Sequence, residues 1–443
     1  MEVEIDKLEL TKALNFYFSN GRPRYFRHLT SNFLSKFPKI LSKCTIEEGI
    51  QITSQLFLLC YTLAEEYKII QETIYNQVAI PYYNWIIEKN KTSDKKVSNI
   101  NINKDKYLLV VRHAITRGMY SPGQTTYFLT KLLLERGKSV TLIVHNKVDQ
   151  SFLTLEKKYN NLEILKLNEN IKFSDKFNAL EDMFLNGGYK YIITDQEFSE
   201  ISYISAKHDL KNTILLSAGY YKLPWYGQIL KPNVLGPSEN SREIPTQMPI
   251  DLGLLNPGGS GDSVEKTRHD LGFDPDDIVF GCFARLEKFN EQYITIAKAI
   301  LTQIPNSRLL IAGTNSDAFL RGALQEFLAN KRAVILGFSD SHALGHVLTF
   351  GLETTPTLSG STVLELYAKS VPVITCSQNV TDLGYIAEAR VPELVYPRVE
   401  DIIADISNFT DKSWRLAMGS KCLDFVSDMS ERCKASYFDI LDR

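Results

Sequence analysis

Apolar positions in the first ninety residues recur at helical spacing. Thr45-Ile46-Glu47-Glu48 has the form of a capping box. After it, apolar side chains fall at Ile50, Leu56, Leu59, Leu63, Tyr67, Ile70 and Ile74. With no strand-like alternation in this stretch, residues 1–95 are predicted to be a helical region. Such a region either packs on the next domain or docks a partner protein or acceptor. Residues 91–105, KTSDKKVSNININKD, are polar and turn-rich, as in a linker. Beyond them the texture changes to short apolar runs: YLLVV (107–111), VTLIV (140–144), LEILKL (162–167), YKYIIT (189–194) and NTILLS (212–217). Between the first two runs lies TTYFLTKLLLERG, an amphipathic helix ending at Gly137, a residue suited to the position after a helix. Continuous apolar strands separated by helices imply a parallel sheet covered on both faces.

From Tyr220 to about Gly261 the periodicity fails, and KLPWYGQILKPNVLGPSENSREIPTQMP is rich in Pro and Gly. A long irregular stretch is usually functional or interdomain. Alternation then restarts with IVFGCFA (278–284), RLLIAG (308–313), AVILGF (333–338), a weaker LETT (352–355), VPVITC (371–376) and ELVYP (393–397). The tail from Asp411 reads as helix, carrying Trp414, Leu416, Met418 and Phe425. The predicted fold is α/β, with two doubly wound Rossmann-like domains. Its divisions are a helical region at 1–95, domains at 105–250 and 262–410, and a helix at 411–443.

Composition narrows the function. The 443 residues exceed what one ordinary core supports. Lys and Arg number 50 against 52 Asp and Glu, a balance that argues against a nucleic-acid binder built on phosphate neutralisation. The cysteines (Cys44, Cys60, Cys282, Cys376, Cys422, Cys433) include no CxxC pair, and Cys282 and Cys376 stand in apolar runs. They read as buried free thiols, with no zinc site. The acidic start MEVEIDKLEL lacks a signal-peptide core, and no run of about 18 apolar residues spans a membrane. A cytoplasmic location is expected.

Doubly wound sheets bind ligands beyond the C-terminal ends of their strands. After IVFGCF come Arg285 and Lys288, two cations suited to a diphosphate. In LSGSTVLE, Gly360 lets a ligand approach the backbone, Ser361 and Thr362 open a helix, and Glu365 follows one turn on, near enough for a sugar diol. Read without a ligand, Ser361 is an N-cap and Glu365 a favourable first-turn anion. In the first half, His113 leaves the strand YLLVV, followed by Gly118 and Gly123. Asp195 and Glu197 leave YKYIIT. His113 and Asp195 are equal candidates for a general base, although Asp195 could merely cap the following helix. His145, His208, His269, His342 and His346 are less well placed, and His342 and His346 lack the intervening Glu of a metal motif.

The pieces FGCFARLEKFNEQYITIAKAILTQIPNSRLLIAG, AVILGF and SGSTVLELYAKSVPVIT together resemble the nucleotide-sugar domain of GT-B glycosyltransferases. The phrasing is most similar to the family of O-GlcNAc transferase and the bacterial adhesin N-glucosyltransferases. The resemblance spans roughly 107–440 and is closest over 278–376. It implies that Lys288 holds the donor diphosphate, Ser361 and Thr362 contact phosphate, Glu365 binds the ribose, and Gly337 and Phe338 lie near the base. Two positions depart from the family. Ser361 replaces the phosphate-contacting His, and Thr357 stands where the retaining E-x7-E signature needs an acid. The resemblance therefore implies a transferase moving a hexose from a nucleotide sugar, UDP-linked, to a polypeptide or glycan, with inversion and no cofactor beyond the donor. No metal is expected, since no DxD-like pair ends a strand. Two alternatives stand beside this: a UDP-sugar epimerase, and a non-catalytic partner of a protein glycosylation system.

Overall fold

The computed structural model describes residues 23–62, 73–91, 101–116, 121–167, 170–216, 223–232, 243–246, 250–256, 261–314, 317–355, 358, 360–380, 386 and 389–442. Leu63, Tyr67, Ile70, Gly118 and Thr357 lie outside them. Two compact units separate, one within Met1–Ile115, Leu129–Lys231 and Ser238–Pro245, the other within Thr116–Phe128, Pro232–Pro237 and Thr246–Arg443.

The first unit begins with helices α1 (Pro23–Ser42), α2 (Ile46–Thr62) and, after a π-helical turn at Ile74–Ala79, α3 (Ile80–Lys89). The capping box at the start of α2 is formed. Thr45 N donates to Glu48 Oε2 at 2.8 Å and Glu48 N to Thr45 Oγ1 at 3.3 Å. The sheet consists of β1 (Asn103–Val111), β2 (Ser139–Val144), β3 (Leu162–Lys166), β4 (Tyr189–Thr194), β5 (Thr213–Leu216), β6 (Gln228–Pro232) and β7 (Glu243–Thr246). Its order is β3-β2-β1-β4-β5-β6-β7, and the pairs from β3 through β6 are parallel. Helices α4 (Ser121–Glu135, of which Leu129 onward falls in this unit), α5 (Gln150–Lys158), α6 (Phe173–Asn186) and α7 (Glu200–His208) alternate with the strands. Because helices cover the sheet, Tyr107–Val111 are wholly buried, as their unbroken apolar run requires. Tyr82 and Trp85 of α3 pack with Phe198, Tyr203 and Trp225 in the same core, so the N-terminal helices are part of this unit's core.

The second unit contains α8 (Leu252–Leu255), α9 (Gly261–Asp270), β8 (Ile278–Phe283), α10 (Glu291–Gln303), β9 (Ser307–Ala312), α11 (Ala318–Ala323) and α12 (Gln325–Ala329). It continues with β10 (Ala333–Leu336), α13 (Ser341–Gly345), β11 (Phe350–Leu352), α14 (Ser361–Tyr367), β12 (Val373–Cys376) and β13 (Val395–Tyr396). Three helices close it: α15 (Val399–Ala404), α16 (Ile406–Thr410) and α17 (Lys412–Asp442). The sheet order is β10-β9-β8-β11-β12-β13, parallel throughout. Gly281 allows β8 to lie close to β9, since a Cβ there would stand 1.7 Å from the Leu310 carbonyl oxygen. Asn290 caps α10 through Tyr293 N at 3.0 Å, and that helix buries Tyr293, Ile294, Ala297 and Ile300 on the sheet.

Both sheets follow the doubly wound order 3-2-1-4-5-6, the first with β7 added beyond it, and the order reverses between β1 and β4 or between β8 and β11. Two strand readings need correction. The weak run at 352–355 is strand only at Phe350–Leu352, and the irregular stretch after Tyr220 contains β6 and β7. All six cysteines are free and buried. Among the described residues no helix is long and apolar enough to cross a membrane.

Candidate functional site

In the second unit, the reversal between β8 and β11 gathers the predicted donor-side residues. Arg285, exposed, precedes a single 3₁₀ turn, Leu286–Lys288. Lys288 Nζ donates to the Leu358 carbonyl at 2.7 Å. From the other side, Thr362 Oγ1 donates to the Phe283 carbonyl at 3.0 Å. These two bonds tie the chain around Gly360 to the end of β8. Gly360 has φ 58° and ψ −119°, a conformation that glycine adopts and side chains resist. It supplies no side-chain cap, so the first-turn N–H groups from Ser361 are left to another acceptor. The Thr362 hydroxyl proton is engaged at Phe283, so the expected phosphate contact there falls to its backbone N–H.

Glu365, one turn further, is 5% exposed and accepts from Ser341 Oγ at 3.2 Å on Oε2. Lys369 lies another turn along. Its ammonium donates to the carbonyls of Leu255 and, at 3.1 Å, Glu365, and it meets His342 Nδ1 at 3.5 Å. Burial pushes the Lys369 amine down to about 8, against the pull of the Glu365 and Asp340 carboxylates. Burial likewise lowers His342, with Glu365 opposing. Gly337 and Phe338 leave β10, and Phe338 is 67% exposed, an apolar ring standing free at a strand's C-terminal end. The loop they begin leads into α13, whose Ser341 touches Glu365. Ser341 and Lys369 carry no signal used in the sequence reading, and His342 was there placed among the less well positioned histidines. Lys369 stands four residues after Glu365 on one helical face, a spacing that pairs opposite charges, and that was the available signal.

Below this edge, Glu353 and Arg390 form an ion pair with both side chains 0% exposed. Arg390 Nε donates to Glu353 Oε2 at 2.8 Å, Nη2 to Oε1, and Thr375 Oγ1 to Oε2 at 2.6 Å. It anchors the ends of β11 and β12 from which the Gly360 loop and its neighbour spring.

In the first unit, the reversal between β1 and β4 brings His113 and Asp195 to the same edge. Arg112 N donates to Asp195 Oδ1 at 3.2 Å, so Asp195 binds the chain leaving β1. Asp195 does not cap α7. That cap is Ser199, in a reciprocal box with Ser202. His113 is half-buried, with Nε2 3.5 Å from Asn146 Nδ2. Burial, then the charges of Arg112 and Lys147, hold its pKa below the ordinary imidazole value. Burial pushes the Glu197 carboxyl up to about 7; Asp195 adds to the shift and Arg112 opposes it. A carboxyl held there has a proton affinity suited to acid–base work near neutral pH. His145 was judged poorly placed from sequence, yet it stands at the same edge beside Lys176, 3.3 Å from Nδ1 to Nζ. Among the described residues no group of three His, Cys, Asp or Glu side chains is arranged to hold a metal ion.

No family model matches this chain, and neither does any curated protein sequence. Solved structures do. A point mutant of the O-GlcNAc transferase of Thermobaculum terrenum is 15% identical, with a TM-score of 0.58 over 99% of this chain and 87% of that one. A glycosyltransferase from Rickettsia africae is 12% identical, with a TM-score of 0.57 over 76% of this chain and 98% of its own. Anabaena HepE, solved in complex with UDP and glucose, is 14% identical, with a TM-score of 0.51 over 74% and 95%. The chain has the GT-B fold, and in that fold it is similar to glycosyltransferases, an O-GlcNAc transferase among them.

Proposed function

We propose that the chain is a glycosyltransferase that moves a hexose from a nucleotide sugar, UDP-linked, to a polypeptide or glycan. One observation carries this reading. At the β8–β11 reversal a lysine, a glycine-opened helix start, a buried carboxylate and an exposed aromatic ring meet at one sheet edge. Lys288, Arg285 and the backbone around Ser361 and Thr362 take the leaving diphosphate, Glu365 the ribose diol, and Phe338 the base, with Gly337 giving it room. Similarity to HepE, which binds UDP and glucose, supports the choice of nucleotide.

In the proposed reaction an acceptor oxygen forms its bond to the anomeric carbon as the bond to the diphosphate oxygen breaks, with inversion. The acceptor proton passes to a general base, for which His113 and Asp195 are the candidates. The departing charge is stabilised by fixed cations and N–H dipoles. The test is a screen of UDP- and GDP-hexoses for release of nucleoside diphosphate, with Lys288→Ala as control. Turnover of one donor, lost in the variant while thermal stability is kept, supports the reading; turnover equal in the variant refutes the site.

A further inference from the structure

The edge of the first sheet contains a chain of three groups that neither proposed base explains. Glu200, at the start of α7, accepts from Lys176 Nζ at 2.6 Å. Lys176, on α6, reaches His145 Nδ1 at 3.3 Å, just past the end of β2. The side chains of Lys176 and Glu200 are 21% and 11% exposed, so the pair is largely shielded from water. An ammonium has three donors and no acceptor. The Nδ1 that faces it must therefore be the unprotonated nitrogen, and the ring's hydrogen lies on Nε2. That Nε2 is buried and meets no hydrogen-bond partner among the described residues. A buried donor left unmet is a standing cost, and native structures rarely tolerate one without a use.

The chain of groups also keeps the ring uncharged. Burial first, then the charge of Lys176 with those of Arg112 and His113, pushes the His145 pKa down to about 4, against the single opposing influence of Glu200. A second proton on Nδ1 would face the ammonium directly. Nor does the surrounding edge carry a strong field of one sign. Arg112, Lys147 and Lys176 are largely offset by Asp195 and Glu200, with Glu197, held at about 7, adding part of a charge, which leaves little net charge to hold an anion.

We infer that His145 is a fixed neutral donor whose Nε2–H binds a hydroxyl oxygen of an uncharged sugar at the C-terminal edge of the first sheet. Lys176 and Glu200 are positioning residues that set the tautomer. This deepens the glycosyl-transfer reading by giving the first unit a sugar contact. It is tested without donor or turnover, so its failure leaves the nucleotide site of the second unit standing.

The experiment is two-bond ¹H–¹⁵N spectroscopy of the full chain labelled at histidine, between pH about 5 and 8. Glucose is the polyol probe and inorganic phosphate the anion probe. Expected are an Nε2–H tautomer for His145 without titration in this range, and a saturable shift of that resonance with glucose. Lys176→Met should release the tautomer, giving mixed signals. An Nδ1–H tautomer, titration near the ordinary imidazole value, or no response to glucose overturns the proposal; so does a response to phosphate alone. His145→Phe is the stability check. Unchanged or raised thermal stability fits a donor held for a ligand, whereas a marked loss shows a structural hydrogen bond and overturns the assignment.

Discussion

Arg390→Met removes the guanidinium from a fully buried ion pair of the second unit. In the native chain Glu353 receives two bonds from Arg390 and one from Thr375, with neither charged side chain exposed. Met matches the aliphatic length of Arg but not its charge, so the cavity stays small while Glu353 keeps a buried charge without its counter-ion. Breaking a buried pair from one side costs about 3–5 kcal/mol, far more than the ~1 kcal/mol or less of an exposed pair. For a unit of this size each kcal/mol lowers the midpoint by about 2–4 °C, giving a drop of roughly 6–20 °C. Differential scanning calorimetry of wild type and variant reads this directly. The companion Glu353→Leu/Arg390→Met removes both charges and should recover most of the loss, because only the unpaired charge is expensive. A loss under about 1 kcal/mol in the single variant would refute the reasoning, as would a double variant as unstable as the single.

Gly360→Ala forces a side chain into φ 58°, ψ −119°, at a cost of about 1–3 kcal/mol, and should lower both the unfolding midpoint and nucleotide affinity; an unchanged protein by calorimetry would show that the loop relaxes freely. Glu197 has a folded pKa of about 7, above the ordinary carboxyl value of about 4.3. Its contribution to stability is therefore full below the ordinary value and lost as pH rises through about 7. Glu197→Gln should remove that slope and leave the variant more stable at pH about 8, by about 1–3 kcal/mol. Parallel urea midpoints for the two proteins from pH about 4 to 8 would count against the assignment.

Much of the fold could be read from the chain because a parallel sheet buried on both faces needs unbroken apolar strands, such as YLLVV and IVFGCF. β6 and β7 escaped notice because Gln228–Pro232 and Glu243–Thr246 lie in a Pro- and Gly-rich segment whose pairing depends on β5, not on local pattern. The strand at Phe350–Leu352 is three residues long, too short to announce itself beside the polar residues that follow. In the second unit, Arg285, Lys288, Gly360, Ser361, Thr362 and Glu365 were legible because they sit directly after strands or open a helix. Their supports were not. Glu353 and Arg390 are 37 residues apart, and Lys176 reaches back 31 residues to His145. Such pairings come from sheet topology, which local spacing does not encode. His113 and Asp195 share an edge for the same reason that each was noticed: both follow strands that flank the reversal.

The most direct test of the nucleotide site is calorimetric titration of the protein with UDP and GDP, alongside Lys288→Ala and Glu365→Ala. Saturable binding of UDP is expected, with a loss of about 10- to 100-fold on removing Lys288, the worth of one charge-assisted hydrogen bond to phosphate. A well-folded protein that binds neither nucleotide, or binds UDP equally in all three forms, would contradict it.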